Sequence, residues 1–133
     1  MIDKITGSIL LDNQKVVLNS RLSPENFMNT SLYQGEIIDT KYLIKDTKDI
    51  NGKRFLITLF FISERLKEVH LSEVMNGISC SNWTEDIESE KKKSHDKWLL
   101  KILGNGPYVY SWGTVESTFD KKGAVSSIIL RYR

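Results

Sequence analysis

The sequence predicts an α+β fold, with a mostly antiparallel sheet of about seven strands packed against one long helix (83–103) and one short helix (24–31). Three observations predict it. His95, Trp98, Leu99 and Ile102 recur at i, i+3, i+4 and i+7, which marks a single long amphipathic helix. Ser23-Pro24-Glu25 opens a second, much shorter one. The other apolar segments are short, rich in β-branched and aromatic residues, and separated by polar or Asn-Gly reversals.

Residues 5–11 and 15–19 flank Asp12-Asn13-Gln14 and read as a first hairpin, with Val16, Val17 and Leu18 favouring strand. Gly7 within it marks a bulge or a close backbone approach. In Leu22-Ser23-Pro24-Glu25-Asn26-Phe27, Ser23 caps the short helix and Pro24 stands where its missing N–H does no harm. Glu25 meets the positive end of the dipole, and Leu22 and Phe27 form a hydrophobic staple. The helix is read as a connector ending near Ser31, with Gly35 beyond it.

Residues 36–45 read as a strand, reversed by Asp49-Ile50-Asn51-Gly52. In 54–62, Phe55, Ile57, Leu59 and Phe61 line one face and Leu56, Phe60 and Ile62 the other. Apolar character on both sides predicts a central strand covered on each. Ser63-Glu64-Arg65-Leu66 turns into 67–74, where Val69 and Leu71 alternate with Glu68, His70 and Ser72, so one face is wet. Residues 75–81 are loop-like.

Asn82 or Thr84 caps the long helix. Glu85, Asp86, Glu88 and Glu90 crowd its N-terminal half, and Lys97 and Lys101 stand near its end, both in the sense the helix dipole favours. Glu88 and Lys92 are spaced for an i,i+4 pair worth a few tenths of a kcal/mol. Burying Trp98, Leu99 and Ile102 contributes about 1.5–3 kcal/mol each, so packing outweighs that pair. Gly104 and Pro107 stop the helix. Residues 108–119 and 124–133 then form a hairpin around Asp120-Lys121-Lys122-Gly123, the first strand setting Tyr108, Tyr110 and Trp112 on one face. The element order is ββα-βββ-α-ββ.

A chain of 133 residues that is 40% hydrophobic and 27% charged supports one folded domain, residues 1–133, rather than a disordered segment. The net charge of +2 is too small an excess for a committed nucleic-acid binder. The first residues carry no secretory signal, no apolar run is long enough to span a bilayer, and the lone Cys80 suits a reducing compartment. A cytoplasmic protein is expected.

No motif announces a reaction. His70 and His95 have no Cys or second His at ligand spacing, so no metal is expected. His95 and Asp96 are adjacent on a helix and point in different directions, which makes a partly buried helical histidine the simpler reading. Cys80 has no identifiable base. Gly104-Asn105-Gly106-Pro107 follows a helix instead of opening one and is a C-cap, not a phosphate cradle. No catalytic residue and no cofactor are assigned. Lys91-Lys92-Lys93 with Lys97 raises a nucleic-acid-binding module as one alternative, against the simpler reading of a solvated helix face. A small-ligand protein with a pocket lined by Tyr108, Tyr110 and Trp112 is another.

His95-Asp96-Lys97-Trp98-Leu99, Leu103-Gly104, Tyr110-Ser111-Trp112-Gly113-Thr114-Val115-Glu116-Ser117, Phe119-Asp120 and Ser126-Ser127-Ile128 form a pattern of aromatics, glycines and turns. Asn51-Gly52-Lys53-Arg54-Phe55, with Phe61 and Leu66, extends it upstream. This pattern resembles the small bacterial immunity proteins of contact-dependent growth inhibition and related polymorphic toxin systems. The resemblance implies a non-enzymatic protein that binds and neutralises a cognate toxin domain, a nuclease being the expected target. Basic nuclease clefts call for an acidic contact, which nominates Glu85, Asp86, Glu88 and Glu90; stabilisation of the helix N-terminus is the competing role.

Overall fold

A computed structural model of the chain describes residues 2–11, 15–34, 40–74, 85–120 and 125–133; the side chains of Glu85, Asp120 and Val125 also lie outside the description. The elements are β1 (Ile9–Leu11), β2 (Val16–Leu18), α1 (Pro24–Met28), β3 (Lys41–Leu43), β4 (Lys48–Ile50) and β5 (Lys53–Ile62). They continue as β6 (Arg65–Glu73), α2 (Glu85–Leu103), β7 (Tyr108–Tyr110), β8 (Gly113–Asp120) and β9 (Val125–Tyr132). β1 and β2 form a small sheet of their own. The main sheet has seven strands, all antiparallel, in the order β3-β5-β6-β9-β8-β7, with β4 following β3 along the same edge of β5. This is the expected α+β architecture with one long and one short helix.

The core lies against one face of that sheet. Phe55, Ile57, Leu59 and Phe61 of β5 point into it, continued by Val69 and Leu71 of β6, Ile128 and Leu130 of β9 and Val115 of β8. Two units cover it. α2 lies over one half, where Trp98 meets Phe55 edge-on at 4.9 Å. The β1–β2 hairpin and α1 belong to the same core, with Phe27 against Tyr42 and Phe61.

Both units sit on the same side, which corrects the expectation for β5. The strand is central in pairing, but its second face is open: Leu56 is 42% and Ile62 55% exposed. Arithmetic of cover decides this, because two units on one face leave none among the described residues for the other.

Other boundaries move for identifiable reasons. α1 stops at Met28 rather than Ser31 because the Asn29 N–H turns back to Asn26 and the Thr30 hydroxyl takes the Phe27 carbonyl, closing the last turn early. Its start is as expected, the Asn26 N–H donating to the Ser23 hydroxyl at 3.0 Å. β4 claims Lys48–Ile50, so the reversal shrinks to Asn51-Gly52. Residues 5–8 are not strand. The chain turns there so closely under Trp112 that a Cβ on Gly7 would stand 2.4 Å from the indole.

The strand expected over 108–119 is two strands, β7 and β8, hinged at Ser111-Trp112. Gly113 explains the break: a side chain there would run into the Arg131 carbonyl at 1.9 Å, so only glycine lets β8 start against β9 at that point. The expectations for Asp12-Asn13-Gln14, Gly35, 36–39, 75–84 with Cys80 and the Asn82 or Thr84 cap, and 121–124 fall outside the described residues.

Candidate functional site

The acidic stretch of α2 divides according to the side of the helix each residue occupies. Asp86 and Glu90 are exposed, and Glu90 stands 3.6 Å from Lys93. Glu88 is 2% exposed. Its Oε1 accepts the Ser126 N–H of β9 at 2.8 Å, its main-chain carbonyl accepts the Ser126 hydroxyl, and Oε2 lies 3.1 Å from Lys91. This carboxylate is a bolt between helix and sheet, so it does not face a partner. The Glu85 side chain lies outside the description. Because Glu88 turns inward, the expected Glu88–Lys92 pair gives way to Glu88–Lys91 and to Lys92–Asp96 at 3.0 Å. All three lysines of the 91–93 run therefore stand beside a carboxylate, which weakens the nucleic-acid alternative.

His95 is fully buried and accepts the Glu73 N–H at Nε2, 3.1 Å away. That contact puts the ring proton on Nδ1, which finds no acceptor. Burial holds its pKa down to about 4, against the smaller opposing pull of the Glu73 carboxylate. Around it Lys53 reaches Glu73 Oε1 at 2.9 Å and the Ser94 hydroxyl at 2.7 Å, tying β5, β6 and α2 together. Burial would raise the Glu73 pKa, but the bonds from Lys53 and Ser94 bring it below its ordinary value. A neutral imidazole fixed in this way ties the helix to the sheet, and its burial is more complete than the sequence suggests.

The open face carries a cluster that sequence reasoning missed. Arg131 of β9 pairs with Glu116 of β8 and lies 3.8 Å from Glu68 of β6, whose other oxygen meets His70 Nε2 at 2.9 Å. His70 packs on Phe60 of β5 at 4.4 Å, and Lys41 of β3 lies over the same ring at 5.7 Å. Cross-strand register assembles this row, since Lys41, Phe60, Glu68, Arg131 and Thr114 are successive partners. The available signal was the polar alternation of β6; what it lacked was the register.

Tyr110 and Trp112 do not line the groove that Tyr108 lines. Trp112 stacks flat on Tyr110 at 5.1 Å, packs on Tyr132 and donates its indole N–H to the Lys4 carbonyl at 2.9 Å. Tyr108 instead lines a groove of about 500 Å³ between α2 and the β7–β8 edge, together with Asp96, Leu99, Val115, Glu116 and Ser117. Among the described residues no three His, Cys, Asp or Glu side chains gather as a metal site, and no helix is long and apolar enough to cross a membrane.

No protein-family model and no curated protein matches the chain. Its fold is shared with a chain from a solved structure described as Rhs1-CT in complex with its cognate immunity protein RhsI1. The TM-score is 0.62 and the identity 17%, over 99% of this chain and 86% of the other. At that identity the likeness is one of fold. The class it defines is thus an α+β architecture, one that also occurs in that complex.

Proposed function

We propose that this chain is an immunity protein that binds a cognate toxin domain and neutralises it, acting by complementary fit and not by catalysis. The observation that carries the reading is the fold shared, over nearly the whole chain, with a member of a toxin–immunity complex. The sequence pattern of aromatics, glycines and turns points independently to the same group of systems. The target we favour is a nuclease met in the cytoplasm, within a contact-dependent inhibition or related polymorphic system. For such a target the exposed Asp86 and Glu90 of α2 supply the acidic contact, joined by Glu85 at the start of the helix.

The test is co-expression with the toxin domain encoded immediately upstream. Protection of the producing cell, with binding at nanomolar affinity or tighter, is the expected result. Failure of this chain to protect cells from that domain overturns the reading.

A further inference from the structure

We propose that the free edge of β8, in the groove between α2 and β7, takes up an extended segment of the toxin partner as an added strand of the main sheet. The partner's identity rests on the immunity reading above; the site rests on geometry. β8 pairs with β9 along its whole length, whereas β7 covers its outer edge only from Gly113 to Val115. Alternation fixes which main-chain groups are left over. Tyr110 and Gly113 close the β7–β8 hairpin around a two-residue turn, so Gly113 and Val115 aim their N–H and C=O at β7. The Arg133 N–H donates to the Trp112 carbonyl at 2.9 Å, which sets the same phase on the β9 side. Glu116 and Thr118 therefore bond to β9. Ser117 and Phe119 turn their main-chain groups outward beyond the end of β7, and nothing among the described residues pairs with them.

The groove beside this edge suits an incoming strand. Leu99, Val115 and Tyr108 give it an apolar floor, and the Ser117 hydroxyl lies within it beside the Asp96 carboxylate. Its charged lining residues are Asp96 and Glu116, both acidic. Each already meets one cation, Lys92 and Arg131 respectively, yet their side chains remain 48% and 50% exposed, leaving oxygen lone pairs for a second donor. The occupant that complements this lining is an extended protein segment with an apolar side chain over Leu99 and Val115 and a lysine or arginine reaching Asp96 on the α2 side or Glu116 on the open side of the edge. Main-chain bonds would supply affinity and the two side-chain positions specificity.

Hydrogen exchange of the intact protein reads the site directly. In the free protein the Ser117 and Phe119 amides should exchange at least tenfold faster than those of Glu116 and Thr118. Adding the upstream-encoded toxin domain should slow those two amides at least tenfold. Ser117→Pro removes an outward N–H and no ladder bond to β9, and should weaken toxin binding at least tenfold; Asp96→Asn with Glu116→Gln should weaken it severalfold. Toxin binding with Ser117 and Phe119 unprotected overturns the groove and leaves the immunity reading standing. No toxin binding at all overturns the immunity reading; a synthetic peptide alternating valine and lysine then decides the groove, selective slowing of the two amides supporting it and unchanged exchange overturning it. Protection that grows with protein concentration alone, accompanied by a dimer in sedimentation, assigns the edge to a second copy and also overturns the proposal.

Discussion

The two faces of the main sheet are built from the same strands and do opposite things. On the covered face, β5 buries Phe55, Ile57, Leu59 and Phe61 beneath α2, α1 and the small hairpin. On the other, Leu56 and Ile62 stand in solvent beside a row of paired charges and Phe60. The difference teaches that hydrophobicity along β5 does not say which side is core. What separates the faces is the placement of the two cover units, and stability should follow cover.

The largest test of that contrast is a matched pair. Phe55→Ala should lose about 3–5 kcal/mol, because a fully buried ring in contact with Trp98 leaves a cavity. Phe60→Ala, two pleats away on the open face, should lose about 1 kcal/mol or less, the worth of its contacts with His70 and Lys41. Equal losses in urea unfolding would erase the distinction between the faces.

A second test titrates the covered side. An unfolded histidine takes up a proton near pH 6.5, whereas His95 stays neutral to about pH 4. Between those values the unfolded chain binds the extra proton, so stability falls as the pH drops from 6.5 toward 4, by about 3 kcal/mol in all. Glu73, whose pKa is lowered, adds a further loss as pH falls below 4.5 and through its folded value. His95→Gln should flatten the slope between pH 6.5 and 4.5 in unfolding curves; an unchanged slope would reject the assignment to His95. The smallest effect comes from α2. Glu88→Ala leaves the buried Ser126 N–H without its partner and should lose about 1–3 kcal/mol, while Glu90→Ala should stay within about 0.5 kcal/mol.

Much of the architecture was legible because local signals agreed with it. Ser23 caps, Asn51-Gly52 reverses the chain, and His95, Trp98 and Leu99 form the buried stripe of α2. The misreadings share a cause. The break between β7 and β8 depends on how closely Gly113 approaches Arg131, a contact between segments distant in sequence. Glu88 stands seven residues before His95, in line with the buried stripe of its helix, but a carboxylate reads as exposed until the Ser126 backbone opposite it is known. The groove needed both facts, the short β7 and the helix lying alongside β8. Periodicity reports which residues share a face, and it is silent on what arrives to meet them.

β9 lies between β6 and β8 in the interior of the main sheet. Until it is in place, β6 and the β7–β8 hairpin have no ladder to join them, and the Tyr132 hydroxyl cannot reach the Gly7 carbonyl near the opposite end. A chain in which β9 is missing presents two raw strand edges to its neighbours.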